Sequence, residues 1–132
     1  MKRYLIVEDE AGSRWILLNY FSKFASCDTA ENGSEGIKLF EKAICDGNPY
    51  HLVCTDINMP VLDGYGLIQK IRECEGRNNG EDFPRTIIFV ISARDSSADM
   101  AHALLDCDCD DYIVKPLHRD QLKALLKKYN FI

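Results

Sequence analysis

This sequence of 132 residues lacks three features that would place it in other classes of protein. It has no signal peptide and no apolar run long enough to cross a bilayer, so we expect a cytoplasmic protein without a membrane anchor. It has no excess of basic residues: 16 Lys and Arg face 21 Asp and Glu, and the net charge of -5 argues against direct binding to nucleic acid or to an anionic membrane. It has no internal repeat or linker, so we expect one domain over residues 1–132.

Metal and disulfide patterns are also missing, although the chain contains six cysteines. None of them forms a CxxC pair. Cys107 and Cys109 flank a single Asp, and no second cysteine or histidine pair nearby completes a zinc site. Several other cysteines lie inside apolar runs, where the thiol behaves as a small hydrophobic group. We therefore expect reduced thiols that serve the packing of the protein rather than a zinc centre.

Short β-forming runs alternate with helical patterns five times along the chain. The predicted strands are 3–7, 27–30, 50–55, 85–91 and 112–114. The predicted helices are 13–24, 35–45, 64–74, 96–105 and a final helix that carries Leu122, Leu125, Leu126 and Tyr129 at helical spacing. The polar stretch 75–82 predicts a loop. This alternation implies a parallel sheet with helices on both of its faces.

Polar side chains follow four of the predicted strands. Glu8 and Asp9 come after the first strand and Asp56 after the third. Ser92 and Lys115 come after the fourth and fifth. In an open α/β sheet, ligands bind outside the carboxyl ends of the strands. If the first and third strands are neighbours, three carboxylates and one lysine share a pocket there.

Three crowded carboxylates favour a bound cation. Two unit charges about 4 Å apart interact by about 4 kcal/mol at an effective dielectric of about 20. Such repulsion either raises the pKa values of the acids or recruits a positive ion. Carboxylate oxygens are the ligands that hard divalent ions prefer, so we expect that the acids recruit Mg²⁺, with Mn²⁺ as the alternative.

With a metal in place, Asp56 can act as a nucleophile toward phosphorus and form an aspartyl phosphate. Lys115 would pair with one phosphoryl oxygen, and the Ser92 hydroxyl would donate to another. Each residue taken alone also has an ordinary structural interpretation as a turn residue, a helix cap or a surface charge. The combination of complementary groups at four strand ends favours the phosphoryl site.

The residues at these strand ends resemble those of the receiver domain of two-component response regulators. The similar segments span the whole chain in the same order; they are Glu8-Asp9, Asp56 within TDINMPVLDG, Ser92-Ala93, and Asp111-Tyr112-Ile113-Val114-Lys115-Pro116. The resemblance implies a five-stranded, doubly wound, flavodoxin-like (βα)5 fold with strand order 2-1-3-4-5. It also implies a signalling phosphoprotein of a two-component or phosphorelay system, and not an enzyme beyond its own phosphorylation and dephosphorylation.

The resemblance assigns a role to each residue of the predicted site. Asp9, Asp56 and the backbone carbonyl of Asn58 would hold Mg²⁺, with Glu8 acting mainly through water. A histidine kinase or a histidine phosphotransferase would donate the phosphoryl group to Asp56. The residues that would contact this group are Ser92, the backbone of Ala93, and Lys115. The bond between Lys115 and Pro116 would be cis and would aim the lysine into the site.

Signal output would depend on a switch pair, Ser92 and Tyr112. In this hypothesis the hydroxyl moves toward the phosphate and the aromatic ring rotates inward. The face formed by the fourth predicted helix, the fifth strand and the last helix then changes for a downstream protein. The alternative for Tyr112 is ordinary strand packing. Asn58 and Arg94 flank the site and would set the lifetime of the phosphate.

The first predicted helix carries Trp15 and Ile16 in addition to its regular apolar stripe. One interpretation is a broad buried face. The other places Trp15 or Ile16 on the surface beside the site, where it would dock the phosphodonor protein.

Two departures from the family pattern concern local geometry. Serine stands at position 92, where threonine is also frequent. No glycine precedes Asp110 and Asp111 to take the left-handed conformation that often ends a helix; Asp108 can reach that conformation at some cost, so we expect an irregular turn here.

Other functions and other assemblies stay open from the sequence. The chain would act alone, as a monomer or a phosphorylation-dependent dimer, or as the receiver of a larger regulator or hybrid kinase. An aspartate-nucleophile phosphatase would need a second Asp two residues after Asp56, and that residue is Asn58. A flavin carrier shares the fold, but the acidic loop 8–13 would repel a flavin phosphate.

Overall fold

A computed structural model describes residues 2–57, 62–77, 85–93, 102, 105 and 108–132. The strands among these residues are β1 (Arg3–Val7), β2 (Ser26–Ala30), β3 (Leu52–Asp56), β4 (Ile87–Ser92) and β5 (Asp111–Val114). The helices are α1 (Ala11–Phe21), α2 (Gly33–Cys45), α3 (Gly64–Arg77) and α4 (Arg119–Lys128). The predicted helix 96–105 lies almost wholly outside the described residues, so α4 here is the C-terminal helix.

The five strands form one sheet in the order β2-β1-β3-β4-β5, and every neighbouring pair is parallel. This confirms the predicted doubly wound fold. The register brings the carboxyl ends of three strands together, since Asp56 pairs with Ile91 and Ser92 pairs with Val114. The order also makes β1 and β3 neighbours, which is the condition for a shared acidic pocket.

The sheet separates two hydrophobic clusters. On one face, Leu5 and Val7 of β1 pack with the apolar stripes of α2 and α3, including Phe40 and Ile68. On the other face, Tyr4 and Ile6 pack with residues of α1 and the C-terminal helix. The alternation along β1 follows from the two-residue period of a strand. All five residues of β3 are buried, as expected for the central strand of a sheet that is covered on both sides.

Several element ends differ from the sequence prediction by one to three residues; α1, for example, ends at Phe21 rather than at residue 24. Helix α1 begins at Ala11, and the hydrogen bond from the Arg14 N–H to the Glu10 carbonyl marks its first turn. Helix α3 runs three residues beyond its predicted end and includes the start of the predicted loop 75–82. Glu75 is held there because it pairs with Arg72 at 2.7 Å and accepts the Thr86 N–H at 2.8 Å. Residues 78–84 lie outside the described residues.

The turn before β5 contains a left-handed aspartate, a conformation that the sequence left open. Asp108 has a φ of 60°, in the left-handed region that favours glycine. Its carbonyl accepts hydrogen bonds from Arg72, and its carboxylate pairs with Arg85 at 2.9 Å. These contacts hold the turn in place without a glycine. Of the helices within the described ranges, none combines the length and the hydrophobicity that crossing a membrane requires.

Candidate functional site

Four charged side chains meet at the carboxyl ends of β1, β3 and β5. Glu8, Asp9 and Asp56 each offer a carboxylate oxygen, and these oxygens lie within 4.8 Å of one another. The Lys115 ammonium donates a hydrogen bond of 3.0 Å to Asp56 Oδ2. It also lies 3.2 Å from Glu8 Oε2. The structure therefore brings together the three acids and the lysine that the sequence predicted.

The end of β1 fixes the buried acid of this cluster. The Glu8 N–H donates to the Ala30 carbonyl of β2 at 3.0 Å, which continues the sheet by one residue. The Glu8 carboxylate then accepts the Glu10 N–H at 3.2 Å. Glu8 is fully buried, whereas Asp9 is exposed. The pair thus contributes one buried carboxylate and one solvent-exposed carboxylate to the pocket.

The end of β3 places Asp56 against the start of α3. A Cβ on Gly64 would collide with the Asp56 carbonyl oxygen and lie 2.8 Å from the Ile57 Cα, so glycine is needed for this approach. The Gly64 N–H donates to the Ile57 carbonyl at 2.9 Å. Asp63 caps α3 through its carboxylate, which accepts the Gly66 N–H at 2.9 Å. Asp63 is thus structural, and Asp56 is the acid of this loop that enters the site.

The end of β5 aims the lysine. The Lys115 N–H donates to the Ser92 carbonyl at 2.7 Å, which ties the residue to the end of β4. The peptide bond between Lys115 and Pro116 is cis, the isomer that the family resemblance implies. The Lys115 side chain is 18% exposed, so its ammonium lies inside the pocket rather than in open solvent.

Burial and charge shift two of these groups. Burial, with the nearby Asp56 charge as the second cause, raises the pKa of Glu8 to about 7. Burial alone would lower the pKa of Lys115, but its hydrogen bond to Asp56 and the charge of Glu8 raise it above its usual value. One ammonium therefore faces more negative charge than it can neutralise, since Glu10 Oε2 also lies 3.9 Å from it.

This donor set fits a hard divalent cation. The three clustered groups are all oxygen donors, and the pocket carries excess negative charge. Glu8 Oε2 takes part in the ion pair with Lys115 but accepts no well-aligned hydrogen bond within the described part of the chain. A buried carboxylate oxygen with that remaining capacity is a suitable partner for a metal ion or its water.

The predicted phosphate-contacting and switch residues that the structure describes lie in, or directly after, β4 and β5. Ser92 is the last residue of β4 and is fully buried. Ala93 follows it at the surface. Tyr112 lies in β5 opposite Val90, and its side chain is buried. Two further predicted site residues, Asn58 and Arg94, lie outside the described residues.

Helix α1 presents apolar side chains beside the pocket. Trp15 is 64% exposed and Ile16 is 42% exposed, so the broad buried face considered for α1 is wrong at these two residues. Ile16 also borders a shallow cavity of about 410 Å³. Its other lining residues are Glu10, Ser13, Lys115, Pro116 and Leu117. The cavity therefore connects the exposed part of α1 with the lysine of the site.

Sequence reasoning missed two contributors to the site. Glu10 stands in the acidic run after β1, and that run was a signal for its approach to Lys115. Arg14 donates to the Glu8 carbonyl at 2.8 Å and lies 3.5 Å from the Asp9 carbonyl. It is one polar residue among several on an amphipathic helix, and no spacing rule singled it out.

Comparisons with known proteins agree with this geometry. The profile of the family described as response regulator receiver domain matches residues 4–127. The hybrid signal transduction histidine kinase F of Dictyostelium discoideum is 33% identical over 128 residues, which cover 96% of this chain and 11% of that protein. The probable transcriptional regulator ycf27 of Guillardia theta is 35% identical over 127 residues, which cover 96% of this chain and 44% of that protein.

A solved structure is similar in both sequence and fold. It is the co-crystal structure of the Saccharomyces cerevisiae histidine phosphotransfer signaling protein Ypd1 and the receiver domain of its downstream response regulator Ssk1. The TM-score is 0.76 at 33% identity, over 96% of this chain and 85% of that chain.

The chain spans less than half the length of the two curated relatives, so the similarity concerns one domain of each. The family match extends from β1 into the C-terminal helix and includes every described residue of the acidic pocket. The chain belongs to the response regulator receiver domain family of two-component and phosphorelay signalling.

Proposed function

We propose that this receiver domain accepts a phosphoryl group on Asp56 from a phosphohistidine donor, in a Mg²⁺-dependent reaction, and that the phosphate changes its affinity for a downstream protein. The observation that carries the proposal is the position of Asp56. Its carboxylate lies between two other acids and accepts a hydrogen bond of 3.0 Å from Lys115. Receiver domains bind Mg²⁺ in such an acidic pocket and pair with histidine kinases and histidine phosphotransfer proteins.

The proposed transfer moves one phosphoryl group between two side chains. An Asp56 carboxylate oxygen attacks phosphorus, and the phosphorus–nitrogen bond of the donor's phosphohistidine breaks. The donor imidazole keeps the electron pair of that bond and takes up a proton. Water later attacks the aspartyl phosphate and returns the carboxylate and inorganic phosphate.

Lys115 and Ser92 would stabilise the transferred group. The Lys115 ammonium already faces Asp56 and would bind a phosphoryl oxygen. Ser92 ends β4 and lies one residue beyond Ile91, which pairs with Asp56 in the sheet, and the Ala93 backbone N–H follows it. Hydrogen-bond donors that face the phosphoryl oxygens would stabilise the negative charge that develops there.

Glu8, Asp9 and Asp56 would hold the divalent ion, with the Asn58 carbonyl as a further ligand expected from the family. When bound, the ion supplies positive charge that reduces the repulsion between the carboxylates and the incoming phosphoryl group. The excess of acids over the single lysine supports this assignment.

Output would depend on Ser92 and Tyr112. Both residues are buried, Ser92 at the end of β4 and Tyr112 in the neighbouring strand β5, so we expect a movement of Ser92 to change the packing around Tyr112. Replacing Tyr112 by alanine is expected to remove the phosphorylation dependence of partner binding. An affinity for the downstream protein that still changes equally on phosphorylation would contradict this role.

Docking of the donor would use the exposed part of α1. Trp15 and Ile16 are apolar and exposed, and Ile16 lines the cavity that Lys115 also lines. We expect Trp15→Ala and Ile16→Ala to slow transfer from a phosphorylated histidine phosphotransfer protein about tenfold. Ile132→Ala is the matched control, because Ile132 is also 42% exposed and lies at the C-terminus. Phosphorylation by a small acyl phosphate should be unaffected in all three variants; equal rates from the protein donor would rule out docking here.

The experiment that tests the phosphoacceptor uses a small acyl-phosphate donor. The full chain is incubated with the donor, with and without Mg²⁺, and acid-stable and acid-labile phosphate are measured. We expect one labile phosphate that requires Mg²⁺ and is lost in Asp56→Asn. Asp63→Asn is the control, because Asp63 caps α3 and does not enter the pocket. Labile phosphate that persists in Asp56→Asn would overturn the proposal.

A further inference from the structure

Arg14 links two backbone carbonyls of the acidic loop to a neighbouring loop. Its guanidinium Nη1 donates to the Glu8 carbonyl at 2.8 Å and approaches the Asp9 carbonyl at 3.5 Å. Its Nη2 forms an ion pair of 3.6 Å with Glu31 Oε1. The Arg14 side chain is 20% exposed and that of Glu31 is 70% exposed, so the hydrogen bond to the Glu8 carbonyl is partly shielded from water and the ion pair is not.

The outer end of this link is anchored in turn. Glu31 directly follows β2, and its N–H donates to Glu35 Oε2 at 3.4 Å. The Glu35 N–H donates to the side chain of Asn32, which caps α2. Arg14 therefore connects the loop after β1 to the capped start of α2, and both of these segments are held by hydrogen bonds of their own.

Arg14 touches the backbone of two acids without touching their carboxylates. We propose that Arg14 is a positioning residue, which holds Glu8 and Asp9 in the orientation that binds the divalent ion; this inference rests on the proposed Mg²⁺-dependent function. Groups that orient metal ligands are part of a metal site, and their removal commonly weakens metal affinity by about 10–100-fold. Glu31 acts one step further out, by orienting the guanidinium.

The direction of the change in Mg²⁺ affinity distinguishes a positioning role of Arg14 from an effect of its charge alone. Arg14 is a cation next to an acidic pocket, so its charge alone repels a second cation. Deleting that charge would strengthen Mg²⁺ binding if electrostatics were its only contribution. Deleting a positioning group weakens it. The two explanations therefore predict opposite shifts of the same dissociation constant.

The test measures the affinity for Mg²⁺ alone, by calorimetric titration of the full chain without phosphodonor. We expect Arg14→Met to weaken binding at least about tenfold, because Met keeps the stem but loses both carbonyl contacts. Arg14→Lys, which keeps the charge but not the planar fork, should also weaken it. Glu31→Gln should have a smaller effect in the same direction. Arg119→Met is the control, because it removes one exposed cation from the C-terminal helix.

A second readout separates positioning from general damage. In Arg14→Met, the Mg²⁺ concentration for half-maximal phosphorylation of Asp56 should rise, and saturating Mg²⁺ should restore the rate to nearly that of the wild type. If Arg14→Met does not fold, Arg14→Lys decides the question, because it keeps the charge and changes only the geometry of the contacts.

Tighter or unchanged Mg²⁺ binding in the Arg14 variants, relative to Arg119→Met, would overturn the inference while leaving Asp56 phosphorylation intact. A rate that saturating Mg²⁺ does not restore would overturn it as well. A wild-type chain that neither binds Mg²⁺ nor becomes phosphorylated would overturn the proposed function along with the inference.

Discussion

Two arginines contact the same pair of aspartates at the amino-terminal end of β5, and their burial differs. Arg72 of α3 lies 3.2 Å from Asp110 Oδ2 and 2.7 Å from Glu75 Oε1, and its side chain is 14% exposed. Arg85 lies 2.6 Å from Asp110 Oδ1 and 2.9 Å from Asp108 Oδ1, and its side chain is 46% exposed. We predict that Arg72→Met destabilises the protein far more than Arg85→Met.

The expected loss in free energy of unfolding follows from the hydrogen bonds that each variant removes and those that remain. Arg72→Met removes two hydrogen bonds to carboxylates whose side chains are 14% and 20% exposed. Hydrogen bonds to charged groups contribute about 1.5–3 kcal/mol each. Asp110 keeps the Ile88 N–H and Arg85 as donors, and Glu75 keeps the Thr86 N–H, so the lower value applies. The expected loss is about 3 kcal/mol.

Arg85→Met should cost less than about 1 kcal/mol, because water screens an ion pair at this exposure. Equilibrium unfolding in urea, followed by circular dichroism, gives the free energy of unfolding of both variants. Repeating it at high salt should abolish the Arg85 effect and leave most of the Arg72 effect. An Arg85→Met loss equal to or larger than the Arg72→Met loss would refute the burial argument.

Two further predictions use glycine and histidine. Gly64→Ala should lower the free energy of unfolding by about 1–3 kcal/mol, because its Cβ meets the Asp56 carbonyl, and should slow phosphorylation. Gly76→Ala, in the same helix but facing open space, should instead be neutral or stabilising by about 0.5 kcal/mol in the same unfolding assay. His51 should make stability fall as the pH drops, since burial and the nearby Lys2 charge lower its pKa below 6.5. The unfolded state then takes up the proton more readily than the native state, and His51→Gln should flatten this part of the pH profile.

The pH prediction needs a difference measurement. Glu8 acts in the opposite direction, because its pKa is raised to about 7 and the native state gains a proton first as the pH falls. Free energies of unfolding are therefore measured for wild type and His51→Gln from about pH 7.5 to about pH 5.5, without Mg²⁺. As the pH falls, the wild type should lose more free energy of unfolding than His51→Gln does. Parallel curves would show that His51 titrates equally in both states.

The sheet and the acidic pocket could be predicted because each rests on a strong local signal. The alternation of apolar strands and helical patterns predicts a parallel sheet. Because the carboxyl ends of parallel strands lie at one edge of the sheet, the polar residues that follow the strands are expected to meet there. Asp56 and Lys115 are 59 residues apart in the chain, yet the sheet order alone brings their side chains to 3.0 Å. The left-handed Asp108 was only one option from the sequence, because aspartate reaches that conformation at a cost and no glycine is present to supply it.

Other features depend on packing that no short pattern encodes. The end of α3 was placed too early, because Glu75 is retained in the helix by Arg72 and by the N–H of the distant Thr86. Exposure along α1 was ambiguous, since apolar residues occur on most of its surface and the neighbouring C-terminal helix decides which of them are covered. Arg14 was not found because its contacts are to backbone carbonyls, which every residue carries.

The central claim is that Asp56, among all the acids of the pocket, carries the phosphate. Borohydride reduces an aspartyl phosphate to homoserine, so reduction of the phosphorylated chain followed by peptide mass mapping marks the modified residue directly. Homoserine at position 56 and at no other aspartate is the predicted result. Homoserine at Asp9 or Asp63, or none after incubation with Mg²⁺ and donor, would contradict the account.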